Sequence, residues 1–185
     1  VSIFLGRRTV LSFQETPGDV WDPIRARLQA QAPRTRGQDA SYLVYTLLDA
    51  IVDHCFPILE HYGDRLADLE DEIVERPGRQ LVKQVHEMKR DLLGLRSSIW
   101  PMREVIHGLQ REPHECITEV TRTYLRDVYD HAVQVIDILE NYREVSSALM
   151  ETWMTASSNR LNEIIGVLTV ISTIFVPLTF LAGVW

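Results

Sequence analysis

Residues 119–185 read EVTRTYLRDVYDHAVQVIDILENYREVSSALMETWMTASSNRLNEIIGVLTVISTIFVPLTFLAGVW, and the reading of this stretch decides the fold. It holds no glycine before Gly166, no proline before Pro177 and no charged residue after Glu163. One helix is therefore expected from Glu119 to Trp185, on the order of 100 Å long at about 1.5 Å per residue, against an average globular helix of about 11 to 12 residues. Its end, Ile164 to Trp185, carries no ionisable side chain. That is about 33 Å of helix, enough to cross a hydrocarbon core about 30 Å thick. The helix is expected to pass from water into membrane. Because the apolar segment is C-terminal and follows charged helix, it is not a signal peptide. With valine at position 1 and no polar residues closing the span after Trp185, the sequence reads as a fragment cut at both ends.

The helix has two faces. A heptad seam of Leu125, Val128, Ala132, Val135, Leu139, Tyr142, Ser146, Leu149 and Trp153 is suited to packing. On the roughly opposite face a second stripe steps by three and four through Asp127, Asp130, Gln134, Asp137, Asn141, Glu144, Ala148, Glu151, Thr155, Ser158 and Asn162. It continues as Ile165, Thr169, Ser172, Val176, Thr179 and Gly183, so that oxygen-bearing side chains give way to small or hydroxylic ones. Several copies around an axis, stripe inward, would form an acidic funnel leading to a narrow pore. A solvated helix face, and membrane hydroxyls bonded to their own backbone, would give the same pattern without a pore. The donors suit a hard cation: Mg²⁺ dehydrates reluctantly, and oxygen ligands hold it through its water shell better than sulfur does. Asn162, at the last polar turn, offers an uncharged ring of amide oxygens that would hold hydrated ions without trapping them.

Upstream, apolar residues recur in three-four steps at Tyr45, Leu48, Val52, Cys55, Leu59, Tyr62, Leu66, Leu69 and Ile73, and again at Val85, Met88, Leu92, Leu95, Ile99, Met102, Ile106 and Leu109. Arg76-Pro77-Gly78-Arg79 separates the two seams, which predicts an antiparallel helical hairpin. Pro57 and Gly63 are candidate bends in its first helix, and Pro101 is expected to kink its second. Pro113 ends the hairpin. At the N-terminus VSIFLGRRTVLSFQE predicts two short strands around Gly6-Arg7-Arg8, part of a larger sheet expected upstream. Thr16-Pro17-Gly18 supplies a bend, and Asp19 is the expected N-cap of a short helix from Val20 to about Ala30. A polar stretch with Pro33 and Gly37 leads to the next cap, Asp39.

The expected fold is mainly α with a residual N-terminal β-hairpin, a long helical hairpin, and a very long stalk helix continuing into a transmembrane span. Its parts are the end of a cytoplasmic α/β domain (1–38), the hairpin (39–118), the stalk (119–163) and the first transmembrane segment (164–185).

With 19 Lys+Arg against 26 Asp+Glu the net charge is -7, which disfavours nucleic acid and suits cation attraction. Cys55 and Cys116 form no CxxC and no disulfide spacing, as in a reducing cytosol. No glycine-rich phosphate loop and no GxSxG occurs. No enzymatic activity is expected. The acidic run Asp64, Asp68, Glu70, Asp71, Glu72 and Glu75 near the hairpin tip reads as a solvated face, partly paired with Arg79, Lys83 and Arg90. His54, His61 and His114 lack paired ligand spacing and read as structural or solvated.

Five stretches carry a family resemblance: YTLLDAIVDH (45–54), IVERPGR (73–79), IWPMRE (99–104), RDVYDH (126–131) and SNRLNEIIGVLTVISTIFVPLTFLAGVW (158–185). Over essentially its full length the chain resembles the CorA family of magnesium transporters. The resemblance implies a homopentamer in the cell's inner (plasma) membrane, embedded in lipid, with residues 1–163 cytoplasmic and the stalk helix lining the pore. It places Asn162, Ile165, Leu168, Val176 and Thr179 at pore-lining positions, choosing Leu168 where the periodicity chooses Thr169. It also places Asp127 and Asp49 among Mg²⁺-sensing carboxylates between subunits, and Glu151 where the family has an aspartate. The family's Gly-Met-Asn selectivity element and second span would follow Trp185, and an acidic sensor partner would precede Val1. The implied cargo is Mg²⁺, with Co²⁺, Ni²⁺ or Zn²⁺ as other divalent cations. A zinc transporter of the same superfamily and a tail-anchored coiled-coil scaffold are the competing readings.

Overall fold

The computed structural model describes residues 1–15, 18–30 and 37–184. Strands β1 (Ser2–Leu5) and β2 (Val10–Phe13) are followed by helices α1 (Asp22–Gln29), α2 (Ala40–Asp53), α3 (Cys55–Glu75), α4 (Arg79–Arg111) and α5 (Glu119–Val184). The mainly helical fold with its small N-terminal sheet is thus as expected, except that Thr16, Pro17, Pro33 and Trp185 lie outside the described residues. The chain divides into two compact units, Val1–Gly63 with Asp91–Tyr142, and Asp64–Arg90 with Arg143–Trp185.

In the first unit the strands are antiparallel, Ser2 opposite Phe13 and Leu5 opposite Val10. The Gly6 N–H donates to the Thr9 carbonyl at 2.8 Å to close the turn. Ile3 and Val10 pack on a core of Trp21, Ile24 and Leu47, while Phe4 and Phe13 meet edge to face at 5.8 Å on the exposed side. The Trp21 indole N–H donates to the Leu47 carbonyl at 3.1 Å, tying α1 to α2. Gly18 has φ +96°, a conformation that glycine adopts without strain.

Asp19 is not the cap of α1. The N-cap is Trp21, without a side-chain hydrogen bond, and the helix begins at Asp22. Pro23 fixes that start, because proline is favoured in a first turn, where its missing N–H would be unpaired anyway. Asp19 instead accepts the Trp21 N–H at 2.9 Å and pairs with the Arg25 guanidinium. Arg25 holds the Asp19 carboxyl down to about 2. A carboxyl lowered on folding stabilises above its unfolded value and loses that contribution as pH falls through the folded one. Acid unfolding should therefore carry a salt-sensitive component between about pH 4 and pH 2, and Asp19→Asn should flatten it in a pH titration of melting temperature.

Asp39 does cap α2, accepting the Tyr42 N–H at 2.9 Å. The Ser41 hydroxyl sits between the Asp39 carboxylate, at 2.6 Å, and the Thr121 hydroxyl, at 2.8 Å, joining the starts of α2 and α5 through a buried polar contact. The first hairpin helix breaks at His54, between α2 and α3, one turn before Pro57. That offset is physical: proline has no N–H for the carbonyl four residues back, and its ring crowds that carbonyl, here Asp53's. Leu59, Ile99, Val135 and Leu139 from three helices form the buried centre, with Val52, Leu92, Ile106, Leu125, Val128 and Ala132 also buried.

Helix α3 runs through Gly63 without interruption. Gly63 admits the Tyr142 ring, whose hydroxyl would lie 2.5 Å from an added Cβ. Gly63→Ala should therefore destabilise the protein by about 1–3 kcal/mol through overpacking. Denaturant unfolding of Gly63→Ala, Tyr142→Phe and the double variant should show positive coupling, since removing the hydroxyl relieves the closest contact.

In the second unit Leu66, Leu69 and Ile73 of α3, Leu81, Val85 and Met88 of α4, and Ser146 and Leu149 of α5 are buried. The chain leaves helix at Arg76, Pro77 and Gly78, as expected. The Trp153 indole N–H donates to the Gly78 carbonyl at 3.1 Å. Among the described residues the acidic run pairs within its own helix and not with Arg79, Lys83 or Arg90: Arg65 reaches Glu72 at 3.2 Å and Asp68 at 3.9 Å, while Lys83 pairs with Glu87 at 3.6 Å. Helical spacing explains this, since residues three, four and seven apart share a face. Helices α4 and α5 run on through Pro101 and Pro177 without interruption.

Candidate metal centre and exposed helix stripe

Helix α2 presents Asp49 and Asp53 one turn apart, and α5 presents Asp127 and His131 with the same spacing. Residues four apart lie on one helix face, so each helix offers two ligand types in one direction. The carboxylates of Asp49 and Asp53 and the imidazole of His131 bring ligand atoms within 4.8 Å of one another. His131 Nδ1 lies 3.2 Å from Asp53 Oδ1, and the Phe56 ring meets the imidazole edge-on at 6.0 Å. Asp49 is half-buried; Asp53, His131 and Asp127 are exposed.

The electrostatics are those of a site short of positive charge. Burial pushes the Asp49 carboxyl up, the charges of Asp53 and Asp127 push it further, and His131 and Arg27 oppose them. The Tyr45 phenol, stacked on Tyr124 at 5.1 Å, is pushed up to about 12, first by burial and then by Asp49. A divalent ion would reverse this pressure by favouring the ionised carboxylates. Ligands on opposite sides of such an ion stand about 4.2 Å apart at metal–oxygen distances near 2.1 Å, so the observed spread admits an ion with slight closure or a bridging water. Three ligands leave open positions for water or for further carboxylates.

Of the expected metal ligands, Asp49 and Asp127 are thus in one electrostatic neighbourhood. Glu151 lies in the second unit, exposed on α5, its carbonyl accepting the Thr155 hydroxyl at 3.0 Å. Asp53 and His131 are additions. Both lie inside the stretches YTLLDAIVDH and RDVYDH, and the repeated four-residue spacing was the signal for them.

The stripe on α5 is exposed at every position from Asp127 to Asn162, and Ile165, Leu168, Thr169, Ser172, Val176 and Thr179 are exposed as well. The Thr169 and Thr179 hydroxyls donate to the carbonyls of Ile165 and Phe175, each at 2.8 Å. With the proton committed to backbone, each oxygen is left with lone pairs to accept from the water shell of a cation. Glu119–Gly183 contains a window of mean hydropathy 2.4 that is wholly unburied, long and apolar enough to cross a membrane. Ala40–Glu75 passes the same test of length and composition at 1.4, but its apolar residues are the packed seam.

Residues 1–185 match the family described as CorA-like Mg²⁺ transporter protein. The chain belongs to this family. It is 44% identical over 185 residues to the cobalt/magnesium transport protein CorA of Thermotoga maritima, covering all of this chain and 53% of that protein. The putative metal ion transporter YfjQ of Bacillus subtilis is 36% identical over 187 residues, covering all of this chain and 58% of the relative. The solved structure of full-length CmaX superposes with a TM-score of 0.82 at 25% identity, over 98% of this chain and 55% of that one. The chain thus spans about half the length of the CorA-like relatives it matches. Helix α5 thus carries, in chain order, the cluster's His131, the oxygen stripe and the apolar span, while α2 supplies Asp49 and Asp53.

Proposed function

We propose that this chain works in divalent-cation transport, as the stalk and first membrane span of a homopentameric channel in the cell's inner (plasma) membrane, with residues 1–163 cytoplasmic. The supporting observation is the continuous α5 helix, whose exposed oxygen-bearing stripe runs into a charge-free span. Mg²⁺ is the proposed cargo, entering the lumen at Asn162 and passing Ile165, Leu168, Thr169, Ser172, Val176 and Thr179. Cytosolic Mg²⁺ closes the channel by occupying carboxylates that include Asp49 and Asp127, with Glu151 contributing lower on the stalk. Loss of the ion leaves like charges facing one another, which favours splaying of the stalks. No step in this scheme is enzymatic.

The test is uptake by the intact transporter in liposomes with Mg²⁺ or Zn²⁺ outside. Saturable Mg²⁺ uptake supports the reading, and Zn²⁺ uptake alone would replace it. One observation keeps borderline cations in view: an imidazole joins the cluster at α2 and α5, and nitrogen ligands suit Co²⁺, Ni²⁺ and Zn²⁺ better than Mg²⁺. These ions are proposed to act at the sensor.

A further inference from the structure

The packing seam of α5 ends at Trp153, whose indole is bonded to Gly78 in the break between α3 and α4. The same three-four steps continue along that face through Ala156 to Arg160 and Glu163, where charged residues replace apolar ones. These three residues line a cavity of about 960 Å³ together with Glu75, Arg76, Glu151 and Asn159. Immediately beyond Glu163 begins the charge-free, fully exposed segment. The cavity therefore lies between the hairpin break and the start of the apolar span, at the depth of lipid headgroups, and this placement rests on the membrane reading above.

The lining is mixed in sign. Arg76 and Arg160 form no ion pair among the described residues, and neither do Glu75, Glu151 and Glu163. Guanidinium groups match phosphate oxygens with paired donors, and carboxylates match a primary ammonium. Thr152 and Thr155 also line the cavity, but their hydroxyls donate to the Ala148 and Glu151 carbonyls at 3.1 and 3.0 Å, leaving Arg76, Arg160 and Asn159 as donors toward an anion. A purely anionic ligand would leave three carboxylates facing it, and a simple cation would leave two guanidiniums.

We infer that this cavity seats the headgroup of a zwitterionic phospholipid bearing a primary ammonium, with its phosphate at Arg76 and Arg160 and its ammonium at Glu163. The lipid takes the place of the missing protein neighbour below Trp153 and braces the end of the stalk against the hairpin break. Its acyl chains extend along the apolar surface of Ile164, Val167 and Ile171.

The test is native mass spectrometry of this chain in detergent, titrated with phosphatidylethanolamine, phosphatidylcholine or phosphatidylglycerol. Phosphatidylethanolamine should be retained most strongly. Arg160→Gln should weaken its retention about tenfold, as loss of one charge-assisted contact does. Glu163→Gln should abolish the preference over phosphatidylglycerol while leaving phosphate-dependent binding. Arg8→Gln, in the strand turn, should change nothing. Equal retention of all three lipids, or no effect of Arg160→Gln, overturns the inference. Competition by soluble phosphoethanolamine would assign the cavity to a free metabolite and overturn it too. Flotation with liposomes separates the two levels: a chain that fails to float refutes the membrane reading and this inference together, whereas one that floats without lipid preference refutes this inference alone.

Discussion

Asn162→Leu in the intact transporter is expected to reduce Mg²⁺ flux by at least about a hundredfold. In the proposed pentamer each copy would contribute one amide oxygen to the water shell of the entering ion, at about 0.5 to 1.5 kcal/mol per hydrogen bond. A pentamer losing all of them loses several kcal/mol at the mouth, and about 1.4 kcal/mol is already a factor of ten. Leucine adds an apolar constriction that favours dewetting. Because Asn162 is exposed in the single chain, the substitution removes no packing contact and folding should be unaffected. Asn162→Gln, which keeps the amide, should retain more flux than Asn162→Leu. Uptake unchanged in Asn162→Leu would remove the stripe from the lumen and favour a tail-anchored scaffold.

How far the fold could be read from the sequence depends on the kind of signal. The seams of α3, α4 and α5 were legible because burial follows a 3.5-residue period, and Leu69, Leu92 and Val135 are buried where that period places them. The break at Arg76–Gly78 was legible because proline and glycine act locally. The start of α1 was misplaced because Asp19 has cap chemistry, while Pro23 decides the first turn and Arg25 recruits the carboxylate. The disruption expected at Pro57 falls at His54 because a proline acts on the carbonyl four residues before it, so the break appears upstream of the residue that causes it. Gly63 reads as a bend in sequence, whereas its role is set by Tyr142, a residue distant in sequence that no local pattern reveals. The cluster was half legible for a related reason. Asp49 and Asp127 came from resemblance, but pairing each with the residue four further on needs both helices in view, and only then do Asp53 and His131 converge.

That convergence sets the second expected result. Asp127→Ala should raise the cytosolic Mg²⁺ concentration needed to close the transporter by about tenfold or more, the loss typical when a group supporting a metal site is removed. Asp127 acts here through charge, since its carboxylate raises the Asp49 carboxyl. Removing it should lower that carboxyl toward its ordinary value and relieve the repulsion that metal binding would otherwise offset, so less free energy is gained on closure. His131→Ala should behave differently. It removes a nitrogen ligand 3.2 Å from Asp53 and should weaken inhibition by Co²⁺ or Ni²⁺ more than inhibition by Mg²⁺, which prefers oxygen. Patch-clamp current against internal Mg²⁺ and Co²⁺ distinguishes the two. An unchanged Mg²⁺ dependence in Asp127→Ala removes that carboxylate from the sensor, and equal shifts for both ions in His131→Ala make its imidazole a structural partner of Asp53 instead of a ligand.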